Sequence, residues 1–279
     1  MTLPPRPPGT VRVAAVQMVS TPRVDANLAT AAQLIAEATA TGAQLVALPE
    51  YFCLMGMQDA DKVAVRESLG HGPIQDFLAH QARQHGIWLV GGTLPLEAPE
   101  AERVLNSTLV FDPRGERVAR YDKVHLFRFT RGAESYDEAV TIAPGRDVST
   151  FRFDAPGGPA LKVGLSICYD LRFPELYRAM NQPDLILVPA AFTATTGRAH
   201  WETLLRARAI ENLCYVLAPA QGGRHENGRA TFGHSMLIDP WGEVIANRPD
   251  GPGVVFGDID PHVIARCRAS LPALAHRVL

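Results

Sequence analysis

Two stretches of the chain follow one plan. VRVAAVQM (residues 11–18) leads through an Ala-rich segment to AQLVALPEYF (43–52), and LKVGLSIC (161–168) leads through a short polar segment to PDLILVPAAF (183–192). Each pair brackets a helical pattern with two continuous apolar runs. Runs without a polar alternation belong to strands buried on both faces, in parallel sheets covered by helices. Both units end in Pro-x-x-Phe. The echo predicts two related halves, each a sheet with helices on its outer face. Stacking the two inner faces gives an α/β fold of the four-layer α–β–β–α sandwich type. Buried strand–helix–strand units resemble one another in any case, so two unrelated halves stay open at this point.

The remaining pattern fits this frame. Apolar residues at helical spacing (Leu28, Ala31, Ala32, Ile35) predict a helix over 26–41, stopped by Gly42, and a second amphipathic helix covers 73–85 before Gly86. Residues 87–96 read as a strand with a glycine pair inside it. Hairpins are expected around Asp112-Pro113-Arg114-Gly115, Ala155–Pro159 and Pro240-Trp241-Gly242. Residues 127–147 read as a long polar connection, and a long helix is expected over 198–213. Residues 1–10, MTLPPRPPGT, read as a loose Pro-rich leader ahead of a single domain over 11–279.

Composition excludes several classes. A formal net charge of −2 offers no basic excess for nucleic acid, and no apolar run is long enough to span a membrane. The cysteines at 53, 168, 214 and 267 form no C-x-x-C pair, which argues against a zinc cluster or disulfide framework and fits a reducing cytoplasm. Only three of the 27 basic residues are lysines, at 62, 123 and 162. A lysine kept in an arginine-rich chain marks a place where an ammonium does what a guanidinium cannot. Lys62 reads as part of a charged helical stretch and Lys162 as a solvated strand start, which leaves Lys123.

Glu50 follows LVALP, Lys123 follows VARYD, and Cys168 follows VGLSI. Each stands at the C-terminal end of an apolar strand, the edge where open α/β sheets bind ligands. Taken singly, Glu50 could cap a turn, Lys123 could be a surface charge and Cys168 a core thiol. Together they supply a thiol nucleophile, a carboxylate to take its proton, and a cation for the oxyanion beside the backbone N–H of Tyr169. Two rival nucleophile schemes were weighed. G-L-S-I-C at 164–168 lacks the small residue that a Ser166 elbow needs, and no spacing selects a histidine partner for Cys168, although His125 shares a face with Lys123.

PEYF around Glu50, YDKVHLF around Lys123 and GLSICYDLRFPEL around Cys168 resemble the three motifs of the nitrilase, or carbon–nitrogen hydrolase, superfamily. The resemblance runs from about Val11 to Leu271. It implies the four-layer sandwich, a homodimer or higher homo-oligomer, and a Glu-Lys-Cys triad that cleaves a non-peptide C–N bond through a thioester without metal or cofactor. It also implies a second glutamate before a Pro-Gly pair. Glu138 in EAVTIAPG fits, with Glu134 close by. The segment LVPAAFTATTG…GGRHENGRATFGHSMLIDPWG resembles the amidases of deaminated glutathione, and nearly as much the omega-amidases.

A carboxylate-bearing amide needs a cation, for which Arg128 and Arg172 are candidates; Arg172 could instead pair with Asp170 or Glu175. Phe192 and Thr193 are expected at the pocket mouth, with Tyr51 and Tyr169 as walls. Glu202 and Arg206 read as an i,i+4 surface pair. The alternatives are an N-carbamoyl amide hydrolase or nitrilase of the same superfamily, and a non-catalytic binding module on this fold, which would have a broken triad.

Overall fold

The computed structural model describes residues 6–132 and 134–278. In the first half, β1 (Val11–Gln17) leads through α1 (Val24–Ala40) to β2 (Leu45–Ala47). A short α2 (Asp61–Ala64) and α3 (Pro73–His85) precede β3 (Trp88–Val90), β4 (Leu94–Glu97), β5 (Val104–Phe111) and β6 (Arg117–Asp122). A hairpin of β7 (Arg128–Arg131) and β8 (Glu134–Asp137), a 3-10 turn at Glu138–Val140 and β9 (Ile142–Ala143) then cross to the second half. There β10 (Ser149–Asp154) and β11 (Ala160–Leu165) run into a 3-10 turn at Cys168–Arg172, α4 (Pro174–Ala179), β12 (Leu185–Leu187), α5 (Ala194–Asn212) and β13 (Tyr215–Ala218). The chain closes with β14 (Gly222–Arg224), β15 (Ala230–Phe232), β16 (Ser235–Ile238), β17 (Val244–Arg248), β18 (Gly253–Ile259) and α6 (Pro261–Ser270).

The echo in sequence is an echo in topology. One sheet runs β18-β1-β2-β3-β5-β6 and the other β10-β11-β12-β13-β16-β17. In both, the successive pairings are antiparallel, parallel, parallel, antiparallel, antiparallel. The last strand of the chain supplies to the first sheet what β10 supplies to the second. It pairs with β1 from Val11↔Ile259 to Gln17↔Gly253, so the two ends of the fold hold each other.

Alternation along β1 shows why its sequence is apolar throughout. Val11, Val13 and Ala15 pack with Phe153, Val163 and Leu165 of the facing sheet. Ala14 and Val16 pack with Ala31, Ile35 and Leu78 of α1 and α3. All five β1 residues are fully buried. Each fully buried valine or leucine contributes roughly 1.5–3 kcal/mol. On the far side α4 and α5 cover the second sheet through Leu176, Tyr177, Trp201, Leu205 and Ala209. The layers are therefore α–β–β–α, as expected.

Several details differ from the sequence reading. The 127–147 connection is ordered into the β7–β8 hairpin and β9, and the β14–β15 hairpin was not anticipated. Helix α5 begins at Ala194 because Thr193 Oγ1 accepts the N–H of Thr196 at 3.2 Å and caps it. Of the leader, residues 1–5 lie outside the described residues. Thr10 is buried and its hydroxyl donates to Pro7 O at 2.7 Å.

The predicted 87–96 strand breaks at its glycine pair. Gly92 has φ +51°, and a Cβ there would lie 2.1 Å from Pro49 O. The break lets β3 turn beneath the corner that follows β2, where Thr93 Oγ1 accepts the N–H of Tyr51 at 2.9 Å. Gly92→Ala should cost about 1–3 kcal/mol through clash and strain. Equilibrium urea unfolding checks this, and a stability equal to wild type would contradict the close approach.

Candidate active site

Three strand ends converge. Glu50 lies just past β2, Lys123 just past β6 and Cys168 just past β11. Lys123 Nζ donates to Glu50 Oε1 at 2.8 Å and lies 2.9 and 2.8 Å from the two oxygens of Glu138. The Glu50 and Lys123 side chains are 1% and 0% exposed, so neither charge can fall back on water. Both carboxylates accept further bonds. Asn106 Nδ2 donates to Glu50 Oε1 and Ala191 N to Oε2, both at 2.9 Å. Tyr51 OH donates to Glu138 Oε1 at 2.8 Å and Phe127 N to Oε2 at 2.7 Å. It is Glu138 that reaches Lys123, whereas Glu134 accepts from Thr195 Oγ1 at 2.8 Å.

The thiol sits on a strained corner. Cys168 has φ +49°, a region that costs a non-glycine residue about 1–3 kcal/mol. The corner is held from both sides. Cys168 N donates to Pro189 O at 2.9 Å, and Ile167 N donates to Asp170 Oδ2 at 2.9 Å. Asp170 is fully buried and also accepts from Tyr121 OH at 2.7 Å and from His125 N at 3.0 Å, while the His125 ring Nδ1 lies at 2.7 Å. Tyr121 and His125 flank Lys123, so one carboxylate ties the thiol's turn to the lysine's strand end. His125 is thereby committed to Asp170 and stacks on Phe173 at 3.7 Å.

Burial, and then the charge of Glu50, push the Cys168 thiol well above its ordinary range, against a smaller opposing pull from Lys123. Burial disfavours the charged form of Lys123, but Glu138 and Glu50 outweigh it, so the net shift is upward and the ammonium stays charged. Burial also works against ionised Glu138, but Lys123, the Phe127 N–H and the Tyr51 hydroxyl together outweigh it, so this carboxyl stays below its usual value. The resting state is therefore a protonated thiol beside an ion-paired lysine.

Cys168 lines a cavity of about 250 Å³ with Tyr169, Ala191, Phe192, Thr193, Thr196, Phe127, Glu138 and Arg229. The expected Phe192, Thr193 and Tyr169 are on its wall. Tyr51 lines the adjoining cavity of about 550 Å³ and acts through its hydroxyl as well as its ring. Arg128 and Arg172 line neither. Arg128 is 82% exposed on the β7–β8 hairpin beside Asp137, because that hairpin carries it outward. Arg172 lies over the rings of Tyr169 and Phe192, near His200 Nδ1. It pairs with neither Asp170, which is saturated, nor Glu175. Arg206 does reach Glu202, at 3.8 Å.

Three contributors were missed. Asn106 had a signal, a lone amide inside VLNSTLVF. Arg229 had none, being one of 24 arginines. Lys62 reads as part of a charged helical stretch, yet its side chain is 15% exposed and lines the larger cavity.

The pH behaviour of the thiol follows from these charges. Glu50 raises the Cys168 pKa and Lys123 lowers it, so Glu50→Gln should move it down. Thiolate ultraviolet absorbance against pH, with Cys168→Ala as blank, reads this. A pKa unchanged or raised in Glu50→Gln would contradict the arrangement.

The family of carbon-nitrogen hydrolases matches residues 12–269. The deaminated glutathione amidase of Synechocystis sp. is 41% identical over 270 residues, covering 95% of this chain and 97% of that one. Saccharomyces cerevisiae Nit3, a member of branch 10 of the nitrilase superfamily, superposes with a TM-score of 0.84 at 31% identity, covering 95% of both chains. A variant of the Nesterenkonia sp. AN1 amidase superposes with a TM-score of 0.76 at 28% identity over 95% of this chain and 97% of that one; it carries the acetamide moiety of fluoroacetamide added at its active-site cysteine. The fold, the converging strand ends and these matches together make the chain a member of the carbon-nitrogen hydrolase family.

Proposed function

We propose that the protein is a cysteine-dependent amidase that cleaves the ω-amide of a small carboxylate-bearing compound, with deaminated glutathione as its substrate. The observation that carries this reading is the buried Lys123, charged and held at 2.8 Å from both Glu50 and Glu138, the latter on the wall of the Cys168 cavity. The substrate class comes from the relatives' name, deaminated glutathione amidase.

The steps follow from the proton inventory. Cys168 Sγ attacks the amide carbon as Glu50 takes the thiol proton, so the thiolate forms only as the C–S bond does. The oxyanion is met by a Lys123 N–H, since an ammonium has three and two are engaged by Glu50 and Glu138, and by the Tyr169 N–H. Glu50 passes its proton to the leaving amine and the C–N bond breaks, giving the thioester. Water then enters; Glu50 takes one of its protons while the hydroxyl adds to the acyl carbon. The thiolate leaves and is reprotonated, and the free carboxylic acid is released. Glu138 keeps Lys123 aimed, with Tyr51 and Phe127 holding Glu138. Among the described residues no His/Cys/Asp/Glu cluster suits a metal ion, and none of these steps calls for one.

Two accompanying expectations complete the reading. All four cysteines are free, which fits a cytoplasmic enzyme. Exposed Trp241 and Ile245 on the β16–β17 hairpin, beside exposed Ile210, favour a homodimer formed on that face.

A panel of deaminated glutathione, a short primary ω-amide of a keto acid and an N-carbamoyl amine, followed by release of amine or ammonia, tests the substrate. We expect turnover of the first two; turnover of the N-carbamoyl compound alone would contradict the ω-amide reading. Cys168→Ala should abolish turnover with an unchanged circular dichroism spectrum. Lys123→Arg should lower kcat on the order of a hundredfold or more although the charge is kept. Near-normal rates in either variant would remove that residue from the mechanism.

A further inference from the structure

The two cavities share a wall. Phe127, Glu138 and Arg229 line both, with Cys168 on the smaller and Lys62 on the larger. On the amidase reading of the Cys168 site, the acyl half of a substrate stays with the thiol as the thioester. The amine half must occupy adjoining space and depart through it. In deaminated glutathione the acyl half is a five-carbon keto acid, and the amine half is the larger, a dipeptide that ends in a carboxylate.

The walls of the larger cavity suit such a carboxylate. Among the described residues the Arg229 side chain makes a single hydrogen bond, Nη2 to Ala191 O at 3.0 Å, and its Nε is buried without a partner. No carboxylate lies within ion-pair distance of it among the described residues. Lys62 Nζ contacts Thr141 Oγ1 at 3.2 Å and Asp59 Oδ1 at 3.3 Å, but Asp59 is 76% exposed, so that pair is screened and weak. The other acids of the cavity are engaged: Glu138 with Lys123, and Asp137 with Arg128 and the N–H of Ala139. Tyr51 supplies an apolar wall, with Lys62 Nζ 6.0 Å from its ring centroid. Two cations with spare donors thus line the space next to the thiol's cavity.

We propose that this larger cavity is the leaving-group subsite, in which Lys62 and Arg229 bind the terminal carboxylate of a peptide-like amine. Charge-assisted hydrogen bonds to a carboxylate in such a site are worth on the order of tenfold to a hundredfold in affinity. The test compares kcat/KM for three amides with one acyl half: deaminated glutathione, its C-terminal glycinamide, and the primary ω-amide. Wild type should favour the acid over the glycinamide by tenfold or more. In Lys62→Met, and separately in Arg229→Met, that preference should fall to about twofold or less. The ratio of deaminated glutathione to primary amide should fall tenfold or more. Equal use of acid and glycinamide by wild type would overturn the subsite without touching the amidase reading. So would variants that lose all three amides by one factor and keep their preference. Failure of wild type to cleave any of the three would overturn the amidase reading itself, and the subsite with it. Lys62→Met removes only a partly buried cation, so the test survives if Arg229→Met does not fold.

Discussion

An ammonium ion with no access to water has to be surrounded by charge and donors of the right kind, and Lys123 is such an ion. Taking it from water costs several kcal/mol, and each carboxylate that repays this is itself buried. Glu50 and Glu138 therefore need partners of their own, and Asn106, Ala191, Tyr51 and Phe127 provide them. These come from β5, from the loop after β12, from the corner after β2 and from the segment after β6. One buried cation thus constrains four separate pieces of chain. Removing a single partner of such a cluster costs about 3–5 kcal/mol because a charge is left uncompensated.

The scaffold turns this constraint into reactivity. In two sheets of matching topology β2 corresponds to β12 and β11 to β1, and the ends of β2 and β11 meet at the same edge of the sandwich. Glu50 follows one and Cys168 the other, the proposed base and the proposed nucleophile. The loop after β12 serves both, receiving the N–H of Cys168 at Pro189 O and giving the N–H of Ala191 to Glu50. Asp170 then fastens the thiol's turn to the strand end of Lys123 through Tyr121 and His125. The positive φ of Cys168 is held in place by these bonds, so strain at this residue is supported by buried hydrogen bonds on both sides.

Much of this was legible in the chain. Unbroken apolar runs report strands buried on both faces, and reactive residues at their ends report a site at the sheet edge. The recurrence of Pro-x-x-Phe marked two halves whose strand order turned out the same. What escaped was whatever depends on a long side chain reaching across the fold. Lys62 sits in a charged helical stretch that signals no cavity, yet its stem carries the charge back into one. Arg128 and Arg172 looked like substrate cations by position, but a hairpin and an aromatic pair direct them elsewhere. Arg229 sits in a loop whose placement depends on the β14–β15 hairpin, for which glycine-rich sequence gave no register. The choice between Glu134 and Glu138 likewise turned on a hairpin folded from what looked like a featureless connection.

The central claim is that Cys168 carries the acyl group while Glu50 moves the protons. Intact-mass spectrometry on enzyme quenched during turnover of an ω-amide tests it most directly, with peptide mapping of the adduct. An added acyl group on Cys168 is expected during turnover, with both its formation and its hydrolysis slowed in Glu50→Gln. Turnover with the acyl group on another residue, or with Cys168 unmodified in both proteins under conditions that preserve thioesters, would contradict it.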